Sequence, residues 1–295
     1  MPWKTPAKSP WVSAAAAVCI WAPPPAAAGA PPISVPEEAP GDQYSSGESN
    51  RANNGGDITR PQTAFELRTL EEATSNETSK TNTAQLLLRM SGKIPLAPGW
   101  RAGLLAQAPL KEETTTTFDS SSVTRESGLG DATFQAFVAH ALNERWDIGA
   151  GARLVARTAE DNLGTGIWQI MPGGGVRVLL PEWGEDSYFV PTIRYALSFA
   201  GNPAARRISE PQIAPTLNID LPGPWFITFY PSNDIRINFG QPRSGQTGRL
   251  FFPFDALIGV KLTNKLQISL EGSVPIVKEY PVYNFKIEGR VRLLF

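Results

Sequence analysis

The chain has 295 residues, and its 27 basic and 28 acidic side chains leave a formal net charge of -1. A charge this balanced argues against nucleic acid as a partner, because nucleic-acid sites need a basic patch. One histidine and one cysteine are too few for a histidine-rich or thiolate metal centre, and the sequence contains no phosphate-binding loop or serine-hydrolase elbow. We therefore expect no bound metal or cofactor.

Residues 1–28 have the pattern of a secretory signal peptide. Two lysines precede an apolar stretch, and Ala26-Ala27-Ala28 offers a cleavage site of small residues. The apolar stretch is too short to cross a membrane as a helix. Residues 29–61 are rich in proline, serine, glycine, asparagine and acidic residues and lack apolar periodicity, which predicts a disordered periplasmic leader.

The remaining chain, residues 62–295, alternates between apolar and polar side chains with a period of two. This period is typical of β-strands, whose successive side chains lie on opposite faces. The pattern predicts twelve strands in a single antiparallel transmembrane β-barrel. They cover residues 62–71, 83–94, 98–108, 129–142, 144–157, 168–180, 186–199, 208–221, 225–240, 249–262, 264–277 and 283–295.

The last strand shows the alternation most clearly. Odd positions from Tyr283 to Phe295 are apolar or glycine, and the even positions carry Lys286, Glu288, Arg290 and Arg292. An apolar outer face and a polar lumen are characteristic of outer-membrane barrels. We therefore expect outer-membrane lipids as surroundings, and the barrel-assembly machinery as a partner that reads the strand ending at Phe295.

The predicted links are sorted by length. Nearly all long links fall at one end of the strands and all short ones at the other, as in bacterial barrels with long outer loops and short periplasmic turns. An even number of strands then places both termini in the periplasm. The longest predicted outer link is 109–127, which can fold into the pore or extend into solvent, and its threonine-rich and serine-rich composition favours solvent.

Charged residues share the inward parity, since charges are costly on the lipid face. They can pair with one another and fill the lumen, or they can form a constriction that selects solutes. The predicted pore-lining residues are Arg89, Arg101, Arg153, Arg157, Arg177, Arg194, Arg236, Asp131, Asp147, Asp234, Asp255, Glu271, Glu288, Arg290 and Arg292.

His140 bears on whether the chain is an enzyme, because some twelve-stranded barrels are lipases with an Asn-His-Ser arrangement. It shares its parity with Phe134 and Val138, so it is predicted to face lipid beside a periplasmic turn. A catalytic base acting on outer-leaflet lipid belongs near the outer rim, within reach of a serine. We therefore interpret His140 as an interfacial side chain and expect no enzymatic activity.

An ordered series of short motifs carries a family resemblance. It consists of Gly128-Leu129-Gly130-Asp131, Leu163-Gly164-Thr165-Gly166 before Trp168, Tyr195 to Gly201, Pro215 to Asn218, and Gly223 with Trp225. Over residues 80–295 the chain resembles the outer-membrane transporter family named after the meta-cleavage pathway of phenol degradation. The resemblance implies an outer-membrane barrel, linked in some members to the passage of hydrophobic or aromatic compounds, and it brings no catalytic motif.

These observations predict a passive outer-membrane channel for small solutes, and the family resemblance implies hydrophobic or aromatic compounds among them. The alternative is a non-conducting structural or surface-binding barrel that acts through its outer loops. An outer-membrane lipid hydrolase is a third hypothesis, supported only by the number of strands. The sequence leaves the solute, the openness of the lumen and the oligomeric state undetermined.

Overall fold

A computed structural model describes residues 57–76, 78–118, 122–160 and 163–295. The predicted signal peptide, residues 1–28, and the part of the predicted leader before residue 57 lie outside the described residues. Among the described residues, no helix is long and apolar enough to cross a membrane.

Strands make up most of the described chain. The first seven segments are β1 (Ala64–Ser75), β2 (Ser79–Ala97), β3 (Trp100–Thr117), β4 (Ser122–Leu129), β5 (Thr133–Ala141), β6 (Trp146–Val155) and β7 (Ile167–Leu179). A short 3-10 helix spans Pro181–Trp183. The other seven segments are β8 (Tyr188–Gly201), β9 (Ser209–Asp220), β10 (Trp225–Phe229), β11 (Ile235–Ile237), β12 (Leu250–Lys261), β13 (Leu266–Lys278) and β14 (Phe285–Leu294).

The fourteen segments build twelve barrel strands, because two strands are interrupted. Segments β4 and β5 both pair with β3, one after the other, and β10 and β11 both lie between β9 and β12. Every pair is antiparallel, and β1 pairs with β14 from Ala64↔Leu294 to Ala73↔Phe285, which closes the barrel. The predicted closed barrel of twelve antiparallel strands is confirmed.

Alternating burial gives the wall two different faces. The outward positions of β14 are exposed, as Ile287 and Val291 show, whereas Glu288 and Arg290 between them are buried in the interior. Leu88 of β2 and Ile193 of β8 are likewise exposed on the outside. An apolar exterior around a charged interior is the arrangement that a barrel needs in lipid, because charges on the lipid face are costly.

The region 109–127 differs from the sequence expectation. Instead of a long solvated link, β3 continues to Thr117 and β4 returns from Ser122, with the ladder running from Thr117↔Ser122 to Leu110↔Leu129. Threonine is β-branched and favours strands. The 19 residues of β2 span roughly 60 Å at about 3.3 Å per residue. This length far exceeds an apolar band of about 25 Å. Strand β2 and the hairpin of β3 and β4 that pairs with it therefore extend the wall beyond the membrane.

The links define two ends of the barrel. The links at the turn end are 98–99, 142–145, 180–187, 221–224 and 262–265. The described residues of the links at the loop end are 76, 78, 118, 156–160, 163–166, 202–208, 238–249 and 279–284. The chain enters β1 from the turn end. The even number of strands places both ends of the described barrel at the turn end, and short turns are typical of the periplasmic side of bacterial barrels.

Candidate functional site

The interior of the barrel is the candidate site, and the segment before β1 occupies its turn end. Asp57 and Thr59 are buried, with exposed fractions of 4% and 0%. Asp57 Oδ2 lies 2.7 Å from Arg177 Nε, and Arg101 Nε donates a hydrogen bond to the Thr59 carbonyl at 2.6 Å. Asp147 completes the group. We call Asp57, Arg60, Arg101, Asp147 and Arg177 the turn-end cluster.

Asp147 of β6 holds the turn-end cluster together. Its carboxylate lies 3.1 Å from Arg60 Nε, 2.7 Å from Arg101 Nη2 and 3.4 Å from Arg177 Nη1. Residues 57–61, which the sequence assigns to the leader, therefore lie against the barrel wall. Sequence reasoning missed Asp57 and Arg60 because they precede the periodic region, and only their charges signal a role.

A second group of charges lies where β1, β13 and β14 meet. Arg68 pairs with Glu66 and, at 2.9 Å, with Glu288 Oε1. Arg290 contacts Glu288 at 2.6 Å and also pairs with Glu271. These five residues, the seam cluster, are all buried. Carboxylates and guanidinium groups alternate across three strands, so each charge of the cluster contacts at least one opposite charge.

The interruption between β10 and β11 sends a segment of the chain, residues 230–234, into the lumen. Tyr230 has a φ of 52°, a left-handed conformation that costs energy in a residue other than glycine. The Asn233 backbone N–H donates to Asp255 Oδ2 at 3.0 Å, and the Asn233 amide donates to Glu271 at 2.8 Å. We call residues 230–234 the inward segment.

Asp234 fastens the inward segment to β8, the strand beyond its neighbour β9. Arg194 Nη2 of β8 donates to both of its carboxylate oxygens, at 2.6 and 2.5 Å. Lys286 of β14 donates to Asn233 Oδ1 at 3.1 Å. The inward segment thus contacts β8, β12, β13 and β14 through polar side chains, and it narrows the lumen at that level.

Two lumenal arginines have a different kind of partner. Arg89 donates from Nε and Nη2 to Gln107 Oε1, at 3.0 and 2.7 Å. Arg153 donates in the same way to Gln135 Oε1, at 3.1 and 3.0 Å. Each pair lies directly across a strand pair, Arg89↔Gln107 between β2 and β3 and Gln135↔Arg153 between β5 and β6. We call these four residues the arginine–glutamine row.

Apolar side chains lie toward the loop end. Phe251, Tyr280 and Tyr283 form one buried cluster, with Phe251 and Tyr283 rings edge to face at a centroid distance of 4.9 Å. Burial raises the pKa of Tyr280 to about 12 and also raises the pKa of Tyr283, both in the link 279–284. A second buried cluster contains Ile167, Ala196 and Ile208, with Met171 packed against it.

Two predicted pore-lining residues lie outside the strands. Arg157 is exposed in the link after β6. Asp131 lies between β4 and β5, where it accepts hydrogen bonds from the Thr165 backbone and hydroxyl at 2.7 and 2.9 Å. It therefore holds the link 156–166. The other predicted residues lie at buried or partly buried inward positions: Arg89, Arg101, Arg153, Arg177, Arg194, Arg236, Asp147, Asp234, Asp255, Glu271, Glu288, Arg290 and Arg292.

His140 lies on the outward face, as predicted from its parity. Its ring stacks on Trp100 with centroids 4.3 Å apart, and its Nδ1 lies 3.2 Å from the Gly99 carbonyl at the turn end. Among the residues that the structure describes, no group of His, Cys, Asp and Glu side chains is arranged to hold a metal ion. The chemistry available in the lumen is therefore that of charges, amides and apolar surfaces.

No protein-family model and no curated protein matches the chain, but several solved structures match its fold. An outer membrane channel from Pseudomonas putida F1 superposes with a TM-score of 0.64 and 18% identity, over 83% of this chain and 100% of that one. This is the fold of a bacterial outer-membrane β-barrel. The transport unit of the autotransporter AIDA-I from Escherichia coli gives a TM-score of 0.51 and 11% identity, over 80% of this chain and 91% of that one.

The barrel has its place in the bacterial outer membrane. Its closed ladder leaves no strand edge within the lipid, and its outward face presents apolar side chains such as Leu86, Phe254 and Leu270. One matched structure is a channel and the other is the transport unit of an autotransporter, so this fold serves more than one function. Function must therefore be argued from the lumen.

Proposed function

We propose that the protein is a passive outer-membrane channel for small solutes. The observation that carries the proposal is the arginine–glutamine row, in which two lumenal guanidinium groups contact no carboxylate among the described residues. A barrel filled only for stability would pair its buried charges with opposite ones, as the seam cluster does, because unpaired buried charges are costly. Charged groups that line a pore select solutes.

The lumen of this channel is narrow. The turn-end cluster and the inward segment both occupy interior space. A barrel of about eight strands is filled by its own side chains, and one of about sixteen strands encloses a wide pore, so twelve strands give an intermediate lumen. Free diffusion is therefore restricted to small molecules. Passage of hydrophobic or aromatic compounds, and membership of the phenol-pathway transporter family, are part of the proposal and are supported by the motif series. The match to the channel from Pseudomonas putida F1 supports the channel role alone.

A non-conducting barrel is the second candidate, and the turn-end cluster favours it. Ion pairs connect residues 57–60 to β6 and β7, and a hydrogen bond to the Thr59 carbonyl connects them to β3, so the segment occupies that end of the lumen. In this case the extended hairpin of β3 and β4 would be the functional part. No observation on the lumen favours an outer-membrane lipid hydrolase, since His140 points away from it.

Conductance in a planar bilayer tests the proposal. The mature protein is refolded, its folding is verified by heat-modifiable migration on a gel, and single channels are recorded under a salt gradient. Discrete steps with a reversal potential support an open pore. A silent bilayer with correctly folded protein contradicts the proposal and supports the non-conducting barrel.

A further inference from the structure

The arginine–glutamine row differs from the ion-paired arginines of the lumen in how its guanidinium groups are held. Arg68, Arg177, Arg194 and Arg290 each contact at least one carboxylate. Among the described residues, Arg89 and Arg153 contact only the amide oxygens of Gln107 and Gln135. A glutamine amide is neutral, so it fixes the plane of the guanidinium group without cancelling its charge.

One edge of each guanidinium group remains available. The Nε and one Nη2 hydrogen point to the glutamine, which leaves Nη1 and the second Nη2 hydrogen for another acceptor. In the described structure, Nη1 of Arg89 and Nη1 of Arg153 make no hydrogen bond, and neither nitrogen is fully enclosed by protein. Each nitrogen is therefore free to donate to a further acceptor. A guanidinium edge of this kind matches the geometry of a carboxylate.

The nearby carboxylates are already engaged. Glu66 lies directly across from Arg89 in the β1–β2 register, but its side chain pairs with Arg68. Asp234 attracts the charge of Arg153, but its two oxygens accept hydrogen bonds from Arg194. The positive charges of Arg89 and Arg194 act on Arg153 as well. The row is thus a place where an incoming anion supplies the missing negative charge.

Apolar surface borders the row on one side. Arg153 lies directly across from Met171 in the β6–β7 register, and Met171 packs against the buried cluster of Ile167, Ala196 and Ile208. Met171 itself remains partly exposed. A flexible thioether is well suited to the apolar body of a ligand. Charge and apolar surface on adjacent strands fit a molecule that has an anionic head and an apolar body.

We infer that the arginine–glutamine row is a binding subsite for small organic anions with an apolar body, such as aromatic carboxylates. The carboxylate accepts hydrogen bonds from the free guanidinium edges, and the apolar body lies toward Met171. The glutamines keep the guanidinium planes in position, and they carry no charge that would compete with the solute. The inference rests on the proposed function, because the solute must enter the lumen.

Binding is measured on the refolded full barrel, with sodium benzoate as the probe and benzamide as its neutral isostere. Ligand that binds the folded state raises the unfolding midpoint, so thermal unfolding reports binding without conductance. At constant ionic strength set with sodium chloride, benzoate raises the midpoint of the wild type and benzamide does not. In the double variant Arg89→Gln/Arg153→Gln, the benzoate affinity falls about tenfold or more, as expected for loss of charge-assisted hydrogen bonds.

Two further variants keep the result interpretable. Arg157→Gln removes an exposed arginine outside the strands and leaves the benzoate effect unchanged. Arg89→Lys/Arg153→Lys retains the charge but loses the planar fork, so it should keep part of the benzoate affinity. It tests the same subsite if the glutamine variant fails to fold. An equal benzoate effect in the wild type and in the glutamine variant overturns the inference, and so does a wild type that benzoate does not stabilise.

Conductance separates failure of the subsite from failure of the channel. A wild-type barrel that conducts but shows no benzoate effect retains the proposed function and refutes the subsite. A barrel that is silent in the bilayer but is stabilised by benzoate through Arg89 and Arg153 retains the subsite and refutes the open channel. When both hold, benzoate also lowers the chloride current of the wild type and not that of the glutamine variant.

Discussion

Arg177 of β7 and Asp57, 120 positions earlier in the chain, form a buried ion pair with an Nε–Oδ2 distance of 2.7 Å. The Arg177 guanidinium group also lies over the Tyr188 ring, 5.2 Å from its centroid. This contact anchors the residues that precede the first strand inside the turn end of the barrel. Since this pair and the Arg60–Asp147 pair are ion pairs that hold the segment, closure of that end is accessible to point mutation.

We predict that Asp57→Asn loosens the turn end. The change keeps the shape of the side chain and removes its charge, and Arg177 retains only the longer contact with Asp147. The free energy of unfolding should fall by about 2 kcal/mol, less than the about 3–5 kcal/mol typical for breaking a fully buried pair. Denaturant unfolding of the refolded barrel measures the change, and single-channel conductance should rise.

Glu182→Gln is the matched control for this prediction. Glu182 contacts Arg145 at 3.0 Å at the same end of the barrel, but both side chains are about half exposed. Exposed pairs contribute at most about 1 kcal/mol, so the variant should be nearly neutral in stability and conductance. Equal effects of the two variants would show that the buried pair has no special role.

A second prediction concerns the inward segment. Asp234→Asn removes the charge of the carboxylate whose two oxygens accept from Arg194 Nη2, so residues 230–234 should move more freely and the conductance should increase. Arg194→Gln tests the same contact from the other partner. In a double-mutant cycle measured by thermal unfolding, the two changes should show a coupling of about 1–3 kcal/mol. Additive effects would mean that the bidentate contact does not hold the segment.

The number of strands and the direction of their side chains could be predicted because lipid enforces a strict period of two. Leu88, Ile193 and Ile268 have to face lipid, and the charges between them have to face inward. The same period says nothing about departures from the wall. Residues 230–234 keep the parity of a strand, and only Pro231 and Asn233 indicate an irregularity.

Other features escape prediction for different physical reasons. Gln107 and Gln135 are neutral and therefore do not stand out among lumenal charges, although each lies across from an arginine in the register. The threonine-rich part of β3 lies beyond the lipid, where both faces contact water and the alternation disappears. Its extended conformation then depends on hydrogen bonds with β2 and β4, which no local pattern reveals.

A third prediction uses Tyr280 at the loop end. Because burial raises its pKa to about 12 from an ordinary value of 10.0, the unfolded chain loses this proton at a lower pH than the barrel does. Its contribution to stability is complete below pH 10, and it declines as the pH rises from about 10 toward about 12. Thermal unfolding between pH 9 and pH 12 should therefore show a smaller decline in Tyr280→Phe than in the wild type.

Val282→Ala controls for the packing of this cluster. Val282 packs against Phe251, Tyr280 and Tyr283 but has no ionisable group. Its truncation should lower the midpoint by a similar amount at every pH. Since the Tyr280 hydroxyl makes no hydrogen bond among the described residues, Tyr280→Phe itself should change the midpoint little at pH 7. If the unfolding midpoint of Tyr280→Phe declined between pH 9 and pH 12 as steeply as that of the wild type, the pH dependence would not come from Tyr280.

The last prediction separates folding from assembly at the end of the chain. The Phe295 side chain is 75% exposed, whereas its backbone N–H donates to the Thr63 carbonyl at 3.1 Å beside the closing β1–β14 pair. Phe295→Ala keeps that hydrogen bond and removes little buried apolar area, so the refolded variant should be as stable as the wild type within about 0.5 kcal/mol. If the barrel-assembly machinery reads this side chain, the amount of barrel in the outer membrane of cells should fall severalfold. Leu293→Ala, on the same outward face, should reach the membrane at wild-type levels. If Phe295→Ala also reached the outer membrane at wild-type levels, the machinery would not recognise the strand through this aromatic side chain.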